Sequence, residues 1–511
     1  MKKVFGFLFH RVVIVVLLML IQVGYLVSAL VLFEQYFAYM YAILIVISAL
    51  VVLYIIGDKS NPAYKIAWII PILLFPIFGG LFYLMFGRNK LSKSTVARME
   101  SVIAKLEPTF ETLEETVSVL ENTDKVAALQ SRYIAKYSGS PLHTNTYSEY
   151  LPTGEEKFAK LLEELEKAEH FIFMEYFIIQ EGKMWNTILE ILERKAKQGL
   201  DVRVIYDDFG CIMTLPGNYY KQLEAKGIKS CAFNKFIPVL SSRLNNRDHR
   251  KICVIDGHTG FNGGINLADE YINEIEKHGH WKDSAIMLKG DAVWNLTAMF
   301  LAMWDFIRDE EESYEQYRPN VYLKEAVETD GYVQPYSDSP IDDEPVGEMV
   351  YMNIINRAQR YVYINTPYLI IDNELSTALC NAAKSGIDVR IVTPHIADKA
   401  YVHAVTRANY AVLVEAGVKI YEYTPGFIHA KSFVADDEYG VIGTINMDYR
   451  SLYLHFECAT WLYKTKSILK MKEDYLETLK VCQQITLKEC TEISIFRKSV
   501  RALLRVFAPL M

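Results

Sequence analysis

The sequence predicts an α/β protein in which two like domains follow a hydrophobic, membrane-embedded helical hairpin. Apolar residues are concentrated in the first 90 positions. From about residue 150 onward, short β-rich runs alternate with amphipathic helical stretches, a pattern typical of an α/β domain. The pattern occurs twice, at a separation near 190 residues. A repeat of this length predicts two similar domains and not an array of short units.

Two uncharged apolar runs occupy the predicted membrane region, residues 1–90. Residues 12–33 form a run of 22 residues, and residues 36–56 form another of 21. At about 1.5 Å per residue, each run as a helix spans a hydrocarbon layer of about 30 Å. A cleaved signal peptide is the poorer interpretation, because the first run is too long and the second follows almost at once.

The third apolar segment, residues 66–86, contains Pro71, Pro76, Gly79 and Gly80, residue types that interrupt or bend helices. We expect this segment to dip into the membrane or to lie at its interface, with a third full crossing as the alternative. Lysine and arginine residues flank the first and third runs, but not the turn between the first two. Since positive flanks favour the cytoplasmic side, the hairpin arrangement places the rest of the chain in the cytoplasm.

The remaining chain divides into four parts. Residues 91–130 have few aromatic residues and are predicted to form a helical connector. We expect the first domain over residues 131–315 and the second over 316–490. Matching segments occur in the same order in both, and KQGLDVRVI at 197–205 against KSGIDVRIV at 384–392 is a clear example. Both segments predict a helix that stops at glycine before a strand.

The tail, residues 491–511, has apolar residues at helical spacing with four cations among them: Arg497, Lys498, Arg501 and Arg505. This pattern suits a basic amphipathic helix lying on anionic lipid. It suits equally a terminal helix packed on the soluble core, because periodicity alone does not distinguish the two.

Each predicted domain contains the same set of polar residues at the same spacing. The first set is His249, Lys251, Asp256, Gly263 and Asn266, and the second is His429, Lys431, Asp436, Gly443 and Asn446. In both sets the offsets from the histidine are 2, 7, 14 and 17 residues. A single His-x-Lys would be a weak signal, but two copies that each lead through a strand to a glycine turn indicate a shared site.

These two motifs resemble the paired HxKxxxxD and GxxN motifs of the phospholipase D superfamily, over roughly residues 150–460. The apolar N-terminal region and the basic tail are similar to those of the bacterial cardiolipin synthases in that superfamily. The resemblance implies two phospholipase D-like α/β/α domains, related by a pseudo-twofold axis, that donate their motifs to one site. The family usually has serine after the glycine of GxxN, whereas this chain has Gly264 and Thr444.

Transfer of a phosphatidyl group needs a nucleophile for phosphorus, an acid for the leaving oxygen and fixed positive charge around the phosphate. Two imidazoles from separate domains can approach one phosphodiester from opposite sides. The usual order in the family implies that His249 attacks and His429 protonates the leaving group, although the sequence leaves the order open. Lys251 and Lys431 are expected to hold the phosphate together with Asn266 and Asn446.

Carboxylates and amides complete the candidate site. A catalytic imidazole needs an orienting partner at its other nitrogen, and the resemblance gives this role to Asp283, 34 residues after His249, and to Glu457, 28 residues after His429. The motif residues Asp256 and Asp436 count among the candidate catalytic residues, but we expect them mainly to hold the fold, since carboxylates repel a phosphate anion. Glu175 and Asn365 lie near the ends of equivalent strands. They could form walls of the site, or their polar groups could be hydrogen-bonded to neighbours only.

Charge and composition limit the partners. A net charge of −8 and few basic clusters oppose nucleic acid as a partner. Scattered cysteines and histidines show no metal-ligand spacing, so we expect neither a metal nor another cofactor. The resemblance implies membrane lipid as the substrate, phosphatidylglycerol in particular, and the bacterial cell membrane as the location; the oligomeric state stays open.

The leading hypothesis is therefore a cardiolipin synthase that converts two phosphatidylglycerol molecules to cardiolipin and glycerol through a phosphohistidine intermediate. The alternatives within enzymes are phospholipase D-type hydrolysis and transfer to another alcohol, since only the acceptor of the second step differs. An alternative of another class is a noncatalytic membrane scaffold. Intact histidine, lysine and asparagine in both motifs argue against a scaffold.

Overall fold

The computed structural model describes residues 37–75, 93–106, 113–235 and 245–510 except 311, 324–326 and 330, together with residues 20, 24, 27, 28, 80, 83 and 87. Apart from such single positions, the expected first hydrophobic helix, residues 12–33, and the later part of segment 66–86 lie outside the described residues.

The N-terminal region is helical where it is described. Helix α1, Phe37–Gly57, contains no charged residue. Helix α2, Pro62–Leu74, starts at Asn61, whose side chain accepts a hydrogen bond from the backbone of Ala63, and it contains Pro71. The two helices share a small apolar cluster. Within the described part of the chain, no helix combines the length and hydropathy needed to cross a bilayer.

Three helices connect this region to the first sheet: α3, Lys93–Leu106, α4, Leu113–Thr123, and α5, Lys125–Ser138. The first half of the body then forms a seven-stranded mixed sheet in the order β1-β8-β6-β5-β2-β3-β4. Its strands are β1 Thr146–Leu151, β2 Phe171–Tyr176, β3 Asp201–Asp207, β4 Lys229–Phe233, β5 Lys251–Ile255, β6 Thr259–Gly263 and β8 Ala285–Gly290, with the short β7 His280–Lys282 outside the sheet. Its helices are α6 Gly154–Lys167, α7 Lys183–Lys197, α8 Tyr219–Ala225 and α9 Val293–Arg308.

After the short helix α10, Pro319–Tyr322, the second half repeats this design as an eight-stranded sheet in the order β19-β13-β12-β10-β15-β16-β18-β9. Its strands are β9 Tyr332–Asp338, β10 Tyr361–Asn365, β12 Asp388–Pro394, β13 Lys419–Tyr423, β15 Ser432–Ala435, β16 Tyr439–Gly443, β18 Glu457–Tyr463 and β19 Cys482–Gln484; three short strands lie outside it or pair elsewhere, β11 Leu369–Ile370, β14 Gly426–Ile428 and β17 Met447–Asp448. The helices are α11 Val346–Arg357, α12 Asn373–Lys384, α13 Ala400–Glu415, α14 Tyr449–Tyr453, α15 Lys466–Leu479, α16 Leu487–Thr491 and α17 Ile495–Phe507.

The two sheets have the same strand order once β19 is set aside, so the prediction of two repeated α/β domains is confirmed. The central strands are buried on both faces; all six residues of β2 are inaccessible to solvent, as expected of an apolar strand covered by helices on each side. The exact domain boundaries stay predictions.

The halves pack on each other through a shared apolar core. Phe173 and Ile252 of the first half belong to the same buried cluster as Tyr363 and Ile442 of the second. Two short parallel pairings also join the halves: β7 pairs with β14, and Asp248 pairs with Phe456. These pairings place the ends of the two motifs beside each other.

Helix α17 closes the chain. Leu504 on this helix and the following Ala508 pack against Val402 and Val405 of α13. Other apolar residues of this helix are exposed, among them Phe496. The tail therefore has one face packed on the second half, as expected of a terminal helix of the soluble core. It also has exposed apolar residues, as expected of a helix that lies on lipid.

Candidate active site

The two motif histidines lie at the junction of the halves. His249 lies two residues before the start of β5, and its backbone N–H donates to the Phe456 carbonyl at 2.9 Å. His429 follows β14, and its backbone N–H donates to the Lys282 carbonyl at 2.7 Å. Each imidazole has 9% of its side chain exposed. Each half thus anchors the reactive histidine of the other.

The carboxylates that orient the histidines are exchanged between the halves. His249 Nδ1 lies 2.9 Å from both Glu457 oxygens, and His429 Nδ1 lies 2.6 Å from Asp283 Oδ2. The expectation that each carboxylate serves the histidine of its own half is wrong. The reason is the parallel pairing across the junction. Asp248 pairs with Phe456, so His249 comes to lie beside Glu457. Ile428 pairs with Lys282, so His429 comes to lie beside Asp283.

Burial dominates the electrostatics of the site. It lowers the pKa of His429 to about 4 and that of His249 well below the ordinary value, and nearby lysines lower both further. Burial also lowers the pKa of Lys251 to about 8 and that of Lys431 to about 7. The charge of His429 also acts on His249 and that of Lys251 on Lys431, so the two motifs share one electrostatic environment.

The motif lysines lie next to the histidines. Lys251 Nζ donates to the backbone carbonyl of His249 at 2.6 Å, and Lys431 Nζ donates to that of His429. The motif asparagines differ from each other. Asn266 accepts from the Ile178 N–H at 3.0 Å and donates to the Tyr271 hydroxyl at 2.7 Å. The Asn446 side-chain oxygen is buried and has no hydrogen-bond partner among the described residues.

Aromatic rings enclose both imidazoles. Phe177 lies edge-on to His249 at 4.9 Å between ring centroids. Tyr271, Trp281 and Phe427 lie within 6 Å of the His429 ring. These rings exclude water, and water exclusion strengthens each charge interaction inside the site.

His455 is a site residue that sequence reasoning missed. Its ring centroid lies 5.6 Å from that of His249, and its Nδ1 lies 3.6 Å from Glu457 Oε1. Burial lowers its pKa to about 4. Its position could have indicated this role, because it lies two residues before Glu457, and side chains two residues apart in an extended segment point to the same side.

The motif aspartates lie away from the chemistry. Asp256 accepts hydrogen bonds from the backbone of Glu169, His170 and Phe171, each at 2.8 Å. Asp436 accepts three bonds in the same way from residues 359–361. Each aspartate follows the strand that starts near its histidine. Seven residues of extended chain place the aspartate about 20 Å from that histidine. Their place among the candidate catalytic residues is corrected: both fasten the start of the neighbouring strand.

The two expected wall residues each contact a neighbouring polar side chain, although Glu175 Oε2 and Asn365 Oδ1 are buried and have no hydrogen-bond partner among the described residues. Glu175 is fully buried with a carboxylate oxygen 2.5 Å from Arg250, which also bonds Asp248. Asn365 donates to the Ser432 hydroxyl at 3.0 Å. Glu175 therefore lies behind the site as part of a buried ion pair, and it does not present its carboxylate as a wall.

The two departures from the usual GxxN pattern suit their neighbours. Thr444 donates its hydroxyl to Glu457 and so fixes the carboxylate that faces His249. At Gly264, a Cβ atom would lie 2.2 Å from Asp283 Oδ1. Asp283 has a shorter side chain than its counterpart Glu457. The absence of a side chain at Gly264 lets the Asp283 carboxylate occupy this space and reach His429.

Replacing Gly264 with serine, the residue usual in the family, should lower turnover about tenfold to a hundredfold, because Asp283 has to move off His429 Nδ1. Steady-state kinetics on the purified variant measures this. The control is Thr444→Ser, which keeps the hydroxyl on Glu457 and should stay within about twofold of the original rate. Equal rates for Gly264→Ser and the unchanged chain would contradict the steric account.

Within the part of the chain that the structure describes, one group of side chains could hold a metal ion. Ligand atoms of His249, His455 and Glu457 lie within 4.8 Å of one another. A metal there would displace the hydrogen bond between Glu457 and His249 Nδ1. The expectation that the protein uses no metal stays a prediction.

Comparison with known proteins decides the family. The family model described as "Cardiolipin synthase, PLD-like domain" matches residues 161–304 and 351–479. The chain belongs to the cardiolipin synthase family. Members of this family are phosphatidyltransferases of the phospholipase D superfamily, which confirms the resemblance seen in the motifs. A second model, described as "Phospholipase_D-nuclease N-terminal", matches residues 43–88.

Individual relatives agree with this assignment. A cardiolipin synthase of Geobacillus sp. (strain WCH70) is 35% identical over 474 residues, which cover 92% of this chain and 93% of the relative. An uncharacterised protein of Streptococcus mutans is 44% identical over 90% of this chain and 99% of its own length. Among solved structures, a phosphatidylserine synthase of Haemophilus influenzae has the same fold, with a TM-score of 0.55, 17% identity, and coverage of 75% of this chain and 97% of that one.

Proposed function

We propose that the protein is a cardiolipin synthase that transfers a phosphatidyl group from one phosphatidylglycerol to another and releases glycerol. The observation that carries this proposal is the pair of crossed histidine–carboxylate contacts. In each, Nδ1 faces a carboxylate, which leaves Nε2 as the nitrogen available to substrate. Two such imidazoles from opposite halves suit in-line attack and departure at one phosphorus.

In the first step, His249 Nε2 attacks the phosphorus of the donor lipid, and the bond from phosphorus to the glycerol oxygen breaks. Glu457 stabilises the positive charge that develops on His249. His429 gives a proton to the leaving oxygen, so glycerol departs neutral. The low pKa of His429 in the free protein favours this transfer, and the bound phosphate anion raises that pKa enough for the proton to be loaded.

In the second step, the hydroxyl of another phosphatidylglycerol takes the place of glycerol. His429 accepts its proton, the oxygen attacks phosphorus, and the bond from phosphorus to His249 breaks. Cardiolipin forms and both histidines return to their starting state. Lys251 and Lys431 supply the fixed positive charge near the phosphate oxygens in both steps, and the Asn446 side-chain NH2 group donates to them.

The lysine pKa values predict an alkaline limb in the pH profile. Lys431 and Lys251 lose their charge as the pH rises through about 7 and 8, and a neutral amine binds the phosphate poorly. We expect kcat/KM to fall about tenfold between pH 7 and pH 9, with a smaller fall in kcat because bound phosphate restores the charge. In the Lys431→Arg variant, the remaining activity should fall less steeply between pH 7 and pH 9, since arginine stays protonated. An identical limb in that variant would contradict the assignment.

The proposed reaction is tested with the full chain in mixed micelles that contain labelled phosphatidylglycerol and no added metal or nucleotide. Cardiolipin with equimolar glycerol supports the proposal. Phosphatidic acid as the main product would make the protein a hydrolase, and a mixed ester in the presence of another alcohol would make it a broader transphosphatidylase. Absence of any product would favour the alternative that the protein is a noncatalytic membrane scaffold.

We further propose that the protein acts at the bacterial cell membrane, held by an N-terminal hairpin with the catalytic halves on the cytoplasmic side. The support is the apolar sequence of the first 90 residues, the match of residues 43–88 to the N-terminal family model, and the exposed apolar side chains of α1, such as Leu50 and Leu53. Labelling of single cysteines added after residue 90 in intact cells and in broken cells tests the side of the membrane.

A further inference from the structure

A groove of about 490 Å³ lies between α2, α13 and α17, apart from every residue of the catalytic site. Its walls are largely apolar. Ala63 and Ile66 of α2 form one side, and Ala502 and Val506 of α17 form another. The groove therefore lies where the N-terminal helices meet the second half of the body.

Four cationic side chains line this apolar groove: Arg407, Lys498, Arg501 and Arg505. Arg407 is neutralised by Glu422, with contacts of 2.7 Å and 2.5 Å. The other three form no ion pair with any residue that the structure describes. Burial lowers the pKa of Arg501, and the charges of Arg407 and Arg497 lower it further.

Exposed apolar residues lie on the two helices that form the groove, and one of them, Ile66, lines it. On α2, Ile66 is 53% exposed and Leu73 is 65% exposed. On α17, Ile495 is 82% exposed and Phe496 is 77% exposed. Large apolar side chains at this exposure mark a surface that meets another apolar phase. A free anion would use the cations alone, whereas an anionic amphiphile uses the cations and the apolar flanks together.

We propose that this groove binds the phosphate head group of an anionic phospholipid molecule other than the one held in the catalytic site, with the acyl chains along the apolar flanks. Lys498, Arg501 and Arg505 provide the charge-assisted contacts. The bound lipid bridges α2 and α17 and so fastens the C-terminal helix, the N-terminal helices and the membrane surface to one another. The site does not depend on the reaction that the catalytic histidines perform.

The test uses the full chain with His249→Asn, so that lipid is not converted, in detergent micelles or in discs of zwitterionic lipid. Phosphatidylglycerol is added stepwise, and thermal unfolding is followed. We expect Tm to rise, and the phosphatidylglycerol content at the midpoint of that rise to increase about fivefold for each cation removed by Arg501→Gln and Arg505→Gln. Any lipid in the catalytic site contributes equally to all these proteins.

The matched control is Arg497→Gln, one position from Lys498 on the same helix but outside the groove lining; because its charge still acts on Arg501, its midpoint should change by clearly less than the fivefold expected of the lining cations. The proposal is wrong if all variants respond alike, if zwitterionic lipid raises Tm equally, or if inorganic phosphate alone reproduces the shift, since that would indicate a site for free anions. If Arg501→Gln does not fold, the exposed Lys498→Gln gives the same comparison. None of these outcomes depends on whether cardiolipin is the product.

Discussion

Replacing His249 with alanine should lower phosphatidyl transfer by about four orders of magnitude or more, while the protein stays folded and in the membrane. The reason is that His249 is the proposed nucleophile, so its loss removes the covalent bond to phosphorus on which both steps depend. The measurement is cardiolipin formation by the purified variant. His429→Ala should lower the same rate comparably, because both steps lose their proton carrier.

The control is His170→Ala, because this histidine is exposed and lies outside the site; its variant should keep the full rate. Acid quenching during turnover of labelled lipid should trap label on the unchanged chain but not on His249→Ala. Label on His429 instead would reverse the order of the two histidines. Undiminished cardiolipin from His249→Ala would rule out the mechanism.

Glu457→Gln should slow turnover about a hundredfold to ten-thousandfold, because a neutral amide neither fixes the His249 tautomer nor stabilises its positive charge. Since the carboxylates are crossed, the loss falls on the attack step although Glu457 belongs to the other half of the chain. A phosphatidyl ester of p-nitrophenol isolates this step, because its leaving group departs without a proton.

With that ester, Glu457→Gln should release the first equivalent of nitrophenol slowly, whereas Asp283→Asn should release it nearly as fast as the unchanged chain. Pairing of each carboxylate with the histidine of its own half would give the reverse result. Glu438→Gln is the matched control, since this glutamate is exposed and pairs only with Lys464 among the described residues. It should leave both phases unchanged.

Much of the fold and of the site could be predicted because local pattern and duplication determine them. The repeated strand and helix signals predicted two like domains, and identical offsets marked His249, Lys251, His429 and Lys431, all of which lie at the junction. Repulsion between a carboxylate and a phosphate anion also predicted that Asp256 mainly holds the fold.

The rest depends on how the halves meet, which a linear pattern does not encode. The exchange of Asp283 and Glu457 follows from two parallel pairings between segments that are far apart in sequence. His455 joins the site through the same contact. Gly264 could be recognised as a departure from the family, but its cause, the space occupied by Asp283, exists only after the fold has formed.

The crossed carboxylates also affect how safely the protein can be made. The first half carries His249, but the carboxylate beside it is Glu457 of the second half. In the proposed mechanism, a growing polypeptide that has completed only the first half therefore holds a nucleophile without its carboxylate. We expect such a polypeptide to cleave no lipid until the second half has been made and has docked.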